Sequence, residues 1–164
     1  MPQPEYYNGT VDVALPRIQA ICKQLQIDTG LLNRVPQDQL EEFLYLADRW
    51  VDDKLRPYYQ TPFSKIQIPQ PMDDGTVGVI LDYPPAVREM SAWRTVYLIL
   101  SSEYGENDPN RSGHADEVNT RADRLVLENR YRLRPRVGGN RVKHPIRTMP
   151  PTIAPLEGVE KELL

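Results

Sequence analysis

The sequence predicts a mainly α fold: a small four-helix bundle with a short β-hairpin or extended insert and long extended N- and C-terminal arms. Three observations predict it. Pro36–Arg56 places Leu40, Phe43, Leu44, Ala47, Val51 and Leu55 at i, i+3, i+4, i+7 spacing, one stripe of a helix. Ala92–Leu100, inside a stretch from Pro84 to Tyr104, is apolar on nearly all sides, the pattern of a central buried helix. Between the two, Pro57, Pro62, Pro69 and Pro71 lack the N–H that a helix needs and exclude one there.

The elements follow in order. Residues 1–14 are polar, open on Pro2 and Pro4, and read as an N-terminal arm with Tyr6 and Tyr7 as anchors. A first helix is expected from about Leu15 to Gln26, with Ile18, Ile21, Cys22 and Leu25 on its inner face. Asp28-Thr29-Gly30 signals a turn. Leu31, Leu32 and Val35 then lead into the long helix. Pro36 suits its first turn, where a missing N–H costs nothing, and Pro57 disfavours helical geometry at Arg56. About 21 residues at 1.5 Å each give roughly 30 Å of helix. Asp48, Asp52 and Asp53 fall off the stripe and read as an exposed acidic face with ordinary carboxylates.

The insert covers about residues 60–83. Phe63, Ile66 and Ile68 suggest one short strand, and Val77, Val79 and Leu81 alternate across a second. Asp73-Asp74-Gly75 is the turn between them and reads as solvated rather than metal-binding. Two such strands are marginal unless packed on something. Pro84-Pro85 opens the third helix, which carries Val87, Met90, Trp93, Tyr97 and Leu98 into the core, and Gly105 ends it. A polar loop follows from Gly105 to Gly113. The fourth helix is expected over His114–Asn129, with Ser112 as a candidate cap and Ala115, Val118, Ala122, Leu125 and Val126 as its stripe. The domain organisation is therefore an arm at 1–14, a helical domain at 15–131 and an extended arm at 132–164.

A chain of 164 residues with 40% apolar residues and 16 prolines fits one modest core with appendages. The single Cys22 excludes an internal disulfide framework and, among apolar neighbours, reads as a buried thiol. No run is apolar enough to span a membrane, and Met1–Thr10 has no signal-peptide pattern. The sequence has no P-loop, no Gly-x-Gly-x-x-Gly, no Gly-x-Ser-x-Gly and no Cys-x-x-Cys. His114 and His144 lie far apart with no partner at ligand spacing. The expectation is a protein without enzymatic activity, cofactor, metal or membrane partner.

Charge is distributed unevenly. Residues 1–129 carry 12 basic and 20 acidic side chains, whereas Arg130, Arg132, Arg134, Arg136, Arg141, Lys143 and Arg147 stand in a segment without an acid. From Arg130 to Val137 the basic residues alternate with Tyr131, Leu133, Pro135 and Val137. That period of two predicts an extended segment with a basic and an apolar face, confined by Pro135 to an edge. This segment, with Ile153 and Leu156 as a distal anchor, is the candidate partner-binding site. Its arginines would meet acids such as Asp48, Asp52 and Asp53 of another copy.

Ala47-Asp48-Arg49-Trp50-Val51-Asp52-Asp53-Lys54-Leu55-Arg56-Pro57-Tyr58-Tyr59 at the end of an amphipathic helix resembles the head–tail connector adaptors (head completion proteins) of tailed bacteriophages. So do the proline-opened helix Pro84–Tyr104 and the polar loop before a helix of the Ala122-Asp123-Arg124-Leu125 kind. The resemblance covers about residues 15–131. It implies a helical bundle that assembles as a ring, twelvefold by that resemblance, under the portal protein. It also implies a virion-neck location after synthesis in the host cytoplasm, and a docking surface for a stopper or tail-terminator protein. Genomic DNA would pass through the channel without specific binding, and the family offers no catalytic residues to carry over. The competing reading is a nucleic-acid-binding protein that contacts phosphates through 130–147, against which stands the acidic body.

Overall fold

The computed structural model describes residues 5–103, 109–130 and 132–133. Four helices, α1 (Val11–Gln24), α2 (Gln37–Leu55), α3 (Pro85–Glu103) and α4 (Pro109–Asn129), surround one core in which α3 packs against each of the other three. A 3-10 helix, Thr29–Arg34, joins α1 to α2, and an antiparallel hairpin of β1 (Ile66–Pro71) and β2 (Val77–Asp82) lies between α2 and α3. The mainly helical class with one short hairpin is as predicted.

The N-terminus departs from the expected arm. Gly9 turns the chain at φ +77, its N–H donating to the Tyr6 carbonyl at 2.9 Å, and α1 begins at Val11. A positive φ of this kind is what glycine tolerates without a Cβ clash. The turn carries Tyr6 and Tyr7 into the core as anchors, so residues 5–14 belong to the bundle. At the other end of α1, the Ile27 N–H donates to the Cys22 carbonyl (2.8 Å) and the Gln26 N–H to that of Lys23 (3.1 Å), with Gln26 at φ 58. This Schellman arrangement stops the helix two residues before the expected Gln26 and folds Ile27 back onto the core. Asp28 then caps the 3-10 helix, its carboxylate accepting the Gly30 N–H at 2.9 Å. Cys22 is free and buried, and burial pushes its thiol up to about 11.

All six residues of the α2 stripe are buried, Ala47, Val51 and Leu55 completely. In α3 the buried set is Val87, Met90, Ala92, Trp93, Val96, Ile99 and Leu100, with Ser91 and Thr95 equally inaccessible. Thr95 reaches this depth because its hydroxyl donates to the Ser91 carbonyl one turn back, at 2.9 Å. Tyr97 and Leu98, expected in the core, are half-buried. Tyr97 instead lies under the Arg94 guanidinium, 4.4 Å from the ring centre. Helix α4 starts at Pro109, within the stretch expected to be loop, and Ser112 lies inside the helix rather than capping it; residues 104–108 lie outside the described residues. Proline at the first helical position explains the early start. Its predicted stripe, from Ala115 to Val126, is buried.

Phe63 is not in a strand. It turns inward against Tyr7 and Tyr59, with ring centres 6.1 and 5.8 Å away. The hairpin proper pairs Ile66 with Asp82 through Pro71 with Val77. Its turn closes with the Met72 N–H on the Thr76 carbonyl (2.8 Å) and the Gly75 N–H on the Met72 carbonyl (3.0 Å), Gly75 standing at φ +80. This is a three-residue loop whose last position needs a left-handed residue. Asp74 tightens it by accepting from the Thr76 N–H (2.9 Å) and hydroxyl (2.6 Å).

Candidate functional site

Two regions carry chemistry that the helical stripes do not account for. The first is a polar seam under the N-terminal strap. Asp48 and Asp52 lie one turn apart on α2, beside the apolar stripe. The strap crosses them so that the Tyr7 N–H donates to Asp48 Oδ2 at 2.8 Å and the Tyr7 hydroxyl donates to Asp52 Oδ1 at 2.5 Å. From α3 the Ser91 hydroxyl donates to Asp48 Oδ1 at 2.5 Å. Asn8 Nδ2 donates to Ser91 Oγ (3.1 Å) and to the Arg88 carbonyl (3.0 Å), and Arg17 Nη1 donates to Asn8 Oδ1 (3.0 Å). The Tyr7 hydroxyl also accepts the Phe63 N–H at 2.8 Å. One network thus ties the strap to α1, α2, α3 and the segment that leads into the hairpin.

The expected exposed acidic face is therefore wrong for two of its three members. Asp52 is 7% exposed, and Asp48 is half-buried; only Asp53 faces solvent, where it pairs with Arg56 at 2.7 Å. Burial raises the Asp48 carboxyl to about 7, against the pull of its Ser91 and Tyr7 donors and with a further push from Asp52. Burial likewise raises Asp52, and burial together with the Asp52 carboxylate raises the Tyr7 phenol. Chemically the seam is a pin. Its donors and acceptors satisfy one another across five chain segments.

Of the predicted partner-binding residues, three are described. The Arg130 N–H donates to the Val126 carbonyl (2.9 Å), and the Arg132 and Leu133 N–H groups donate to that of Asn129 (3.0 and 3.3 Å). The chain thus turns beyond α4 rather than extending from Arg130. Leu133 packs half-buried on the chain's own core, while Arg132 is exposed. Tyr131, Arg134, Arg136, Val137, Arg141, Lys143, Arg147, Ile153 and Leu156 lie outside the described residues.

The second region is the hairpin. Val77, Val79 and Leu81 are 70, 62 and 67% exposed, and Met72 and Ile80 are also open to solvent. Their partners across the ladder, Pro71, Pro69 and Gln67, are exposed as well. The hairpin is held to the body at its base, where Asp82 pairs with Arg88 and Lys65 pairs with Glu5. Its apolar tip has no cover within the described chain.

No protein-family model, characterised protein or solved structure matches this chain. Among the described residues, no cluster of three or more His, Cys, Asp or Glu could hold a metal ion, and no helix is long and apolar enough to cross a membrane. Two adjoining hollows of about 360 and 420 Å³ share Gln24, Trp93 and Arg121, at the junction of α1, α3 and α4. Between α2, α3 and α4 the Arg94 guanidinium stacks on Trp50 (4.9 Å to the ring centre) and donates to Asn119 Oδ1 at 2.7 Å. That contact joins three helices, and Lys54 Nζ lies over the same Trp50 ring at 5.8 Å. The sequence could not have signalled the seam, because its donors arrive from residues 41 and 45 positions away.

Proposed function

We propose that this chain is a structural adaptor of a tailed-phage neck. It forms a ring beneath the portal, joins it to a stopper or tail-terminator protein, and extends the DNA channel. The observation that carries the reading is the division of the molecule: a small bundle whose N-terminal strap is pinned by internal hydrogen bonds, and an apolar hairpin turned outward. Such a body suits assembly through heterologous interfaces around a ring. The motif order over residues 15–131 supports the same reading by resemblance. The arm 132–164 then serves to reach a neighbouring subunit or the portal; about 30 extended residues span on the order of 100 Å.

The test is electron microscopy of the purified chain mixed with the portal protein of the same genome. The expected result is an added ring of density coaxial with the portal. A chain that leaves the portal bare and instead binds duplex DNA with steep salt dependence would favour the nucleic-acid reading, for which exposed Arg132 and the basic segment beyond it speak.

A further inference from the structure

The ladder of the hairpin has a defined parity. Because the Met72 N–H bonds to the Thr76 carbonyl, Met72–Thr76 is a hydrogen-bonded pair, and so in turn are Gln70–Gly78, Ile68–Ile80 and Ile66–Asp82. The main-chain groups of the intervening residues point away from the hairpin. On β1 those residues are Gln67, Pro69 and Pro71, of which two have no N–H. The outer edge of β1 is blocked by proline, a standard protection of an open strand. On β2 they are Val77, Val79 and Leu81, each with a free N–H and carbonyl on the edge. Thr76–Leu81 contains no proline and no charge. The same three residues are the most exposed of the hairpin's large hydrophobic residues.

We propose that β2 pairs edge to edge, antiparallel, with β2 of a second copy of this chain. With Val79 opposite its own counterpart, Val77 faces Leu81 of the other copy and Leu81 faces Val77. Each of the three residues donates once and accepts once in each copy, so no edge group is left over. The side chains of all six residues then lie on one face, and every cross-strand neighbour is apolar. Charge agrees with this register. Asp82 falls opposite Thr76 and is already paired with Arg88, while Asp74 falls opposite Pro84, so no two acids face each other. A second copy's β1 is an unsuitable occupant because its prolines cannot donate. The basic segment beyond Leu133 would place arginines at alternate positions along an uncharged strand. A contact of one short strand falls well below about 1,000 Å² of buried surface, so the pair is weak and depends on protein concentration. The inference concerns the free chain and does not rest on the adaptor reading.

The test uses the full chain. Val79→Pro removes the edge donor on the symmetry axis but touches no bond to β1, since the Val79 N–H points outward. Sedimentation of the wild-type chain is expected to show a monomer–dimer equilibrium, and Val79→Pro is expected to remain monomeric with an unchanged helical circular-dichroism spectrum. In parallel, Val79→Cys in a Cys22→Ala background is expected to be joined into a covalent dimer by a short bismaleimide, because facing Cβ atoms of a hydrogen-bonded pair stand about 5.5 Å apart, within reach of a short linker though too far for a direct disulfide. A wild-type chain that stays monomeric up to millimolar concentration overturns the proposal, and so does association that survives Val79→Pro. Association that Val79→Pro abolishes without any Val79→Cys cross-link also overturns it, and assigns the edge to another strand.

Discussion

The strap seam and the hairpin reverse each other's relation to water. In the seam, Asp48, Asp52, Ser91 and Asn8 are drawn out of solvent; in the hairpin, Val77, Val79 and Leu81 are left in it. The difference is one of available partners. The seam closes because Tyr7 and Asn8 return from the N-terminus to supply donors, and buried polar groups are stable when hydrogen-bonded. The hairpin protrudes beyond the reach of the helices, so its apolar side chains find no cover among the described residues. Residues that hold the bundle together should therefore respond strongly to substitution, and hairpin residues weakly. The largest effect belongs to the core between the two regions. Leu44→Ala, at a position 1% exposed, should cost about 2–5 kcal/mol in a urea titration. An unchanged unfolding midpoint would mean that α2 does not hold the orientation described.

The next largest effect separates the strap from the surface. Tyr7→Phe keeps the ring against Phe63 and Tyr83 but removes the hydroxyl, which leaves Asp52 without its donor and the Phe63 N–H without its acceptor. The cost should be about 1–3 kcal/mol, since an orphaned buried group loses its full solvation. Tyr45→Phe, at a tyrosine that is 51% exposed, is the matched control and should leave the midpoint where it was. Equal effects for the two would break the contrast between a pinned strap and an ordinary surface.

The seam also has a pH signature. The Asp48 carboxyl stands near 7 in the folded chain against an ordinary value of 3.8, so the folded state holds a proton that the unfolded state releases. Stability then falls as pH rises from about 4 to 7 and changes no further with this group above that, because the slope follows the difference in bound protons. Thermal melts of wild type and Asp48→Asn over that window should diverge in slope by up to one proton. The amide keeps an acceptor for the Tyr7 N–H without a charge to bury. Parallel profiles would show that Asp48 is solvated in the folded protein. The groups that face it are Ser91 on α3, Tyr7 on the strap and Asp52 on its own helix.

Periodicity made the bundle legible, and local turn chemistry made the hairpin legible. Leu40 to Leu55 at helical spacing, Pro36 and Pro85 at helix starts, and Asp73-Asp74-Gly75 at a strand reversal each act over a few residues. The seam was illegible for the converse reason. Asp48 and Asp52 look like solvated residues off an apolar stripe, and only a turn at Gly9 brings Tyr7 and Asn8 over them. Thr10 does not announce the start of α1, because its side chain makes no capping bond. The alternation from Arg130 suggested an extended strand, but the last turn of α4 continues past its end through the Asn129 carbonyl, and Leu133 finds the core.

The smallest effect tests the hairpin side. Val77 is 70% exposed, so shortening its contact with water changes little that folding depends on. Thr is nearly isosteric with Val and keeps the β-branched shape that a strand accommodates. Val77→Thr should therefore shift the urea midpoint by no more than about 0.5 kcal/mol in stability, the usual range for a surface position. A loss of more than about 1 kcal/mol would mean that the Val77 face is covered in the isolated chain, on the scale of burying such a side chain. That cover would be either a part of this chain outside residues 5–103, 109–130 and 132–133 or a second copy, and the same measurement at several protein concentrations distinguishes the two. An intramolecular cover gives one value at every concentration, whereas pairing of two β2 strands gives a value that grows with the amount of protein.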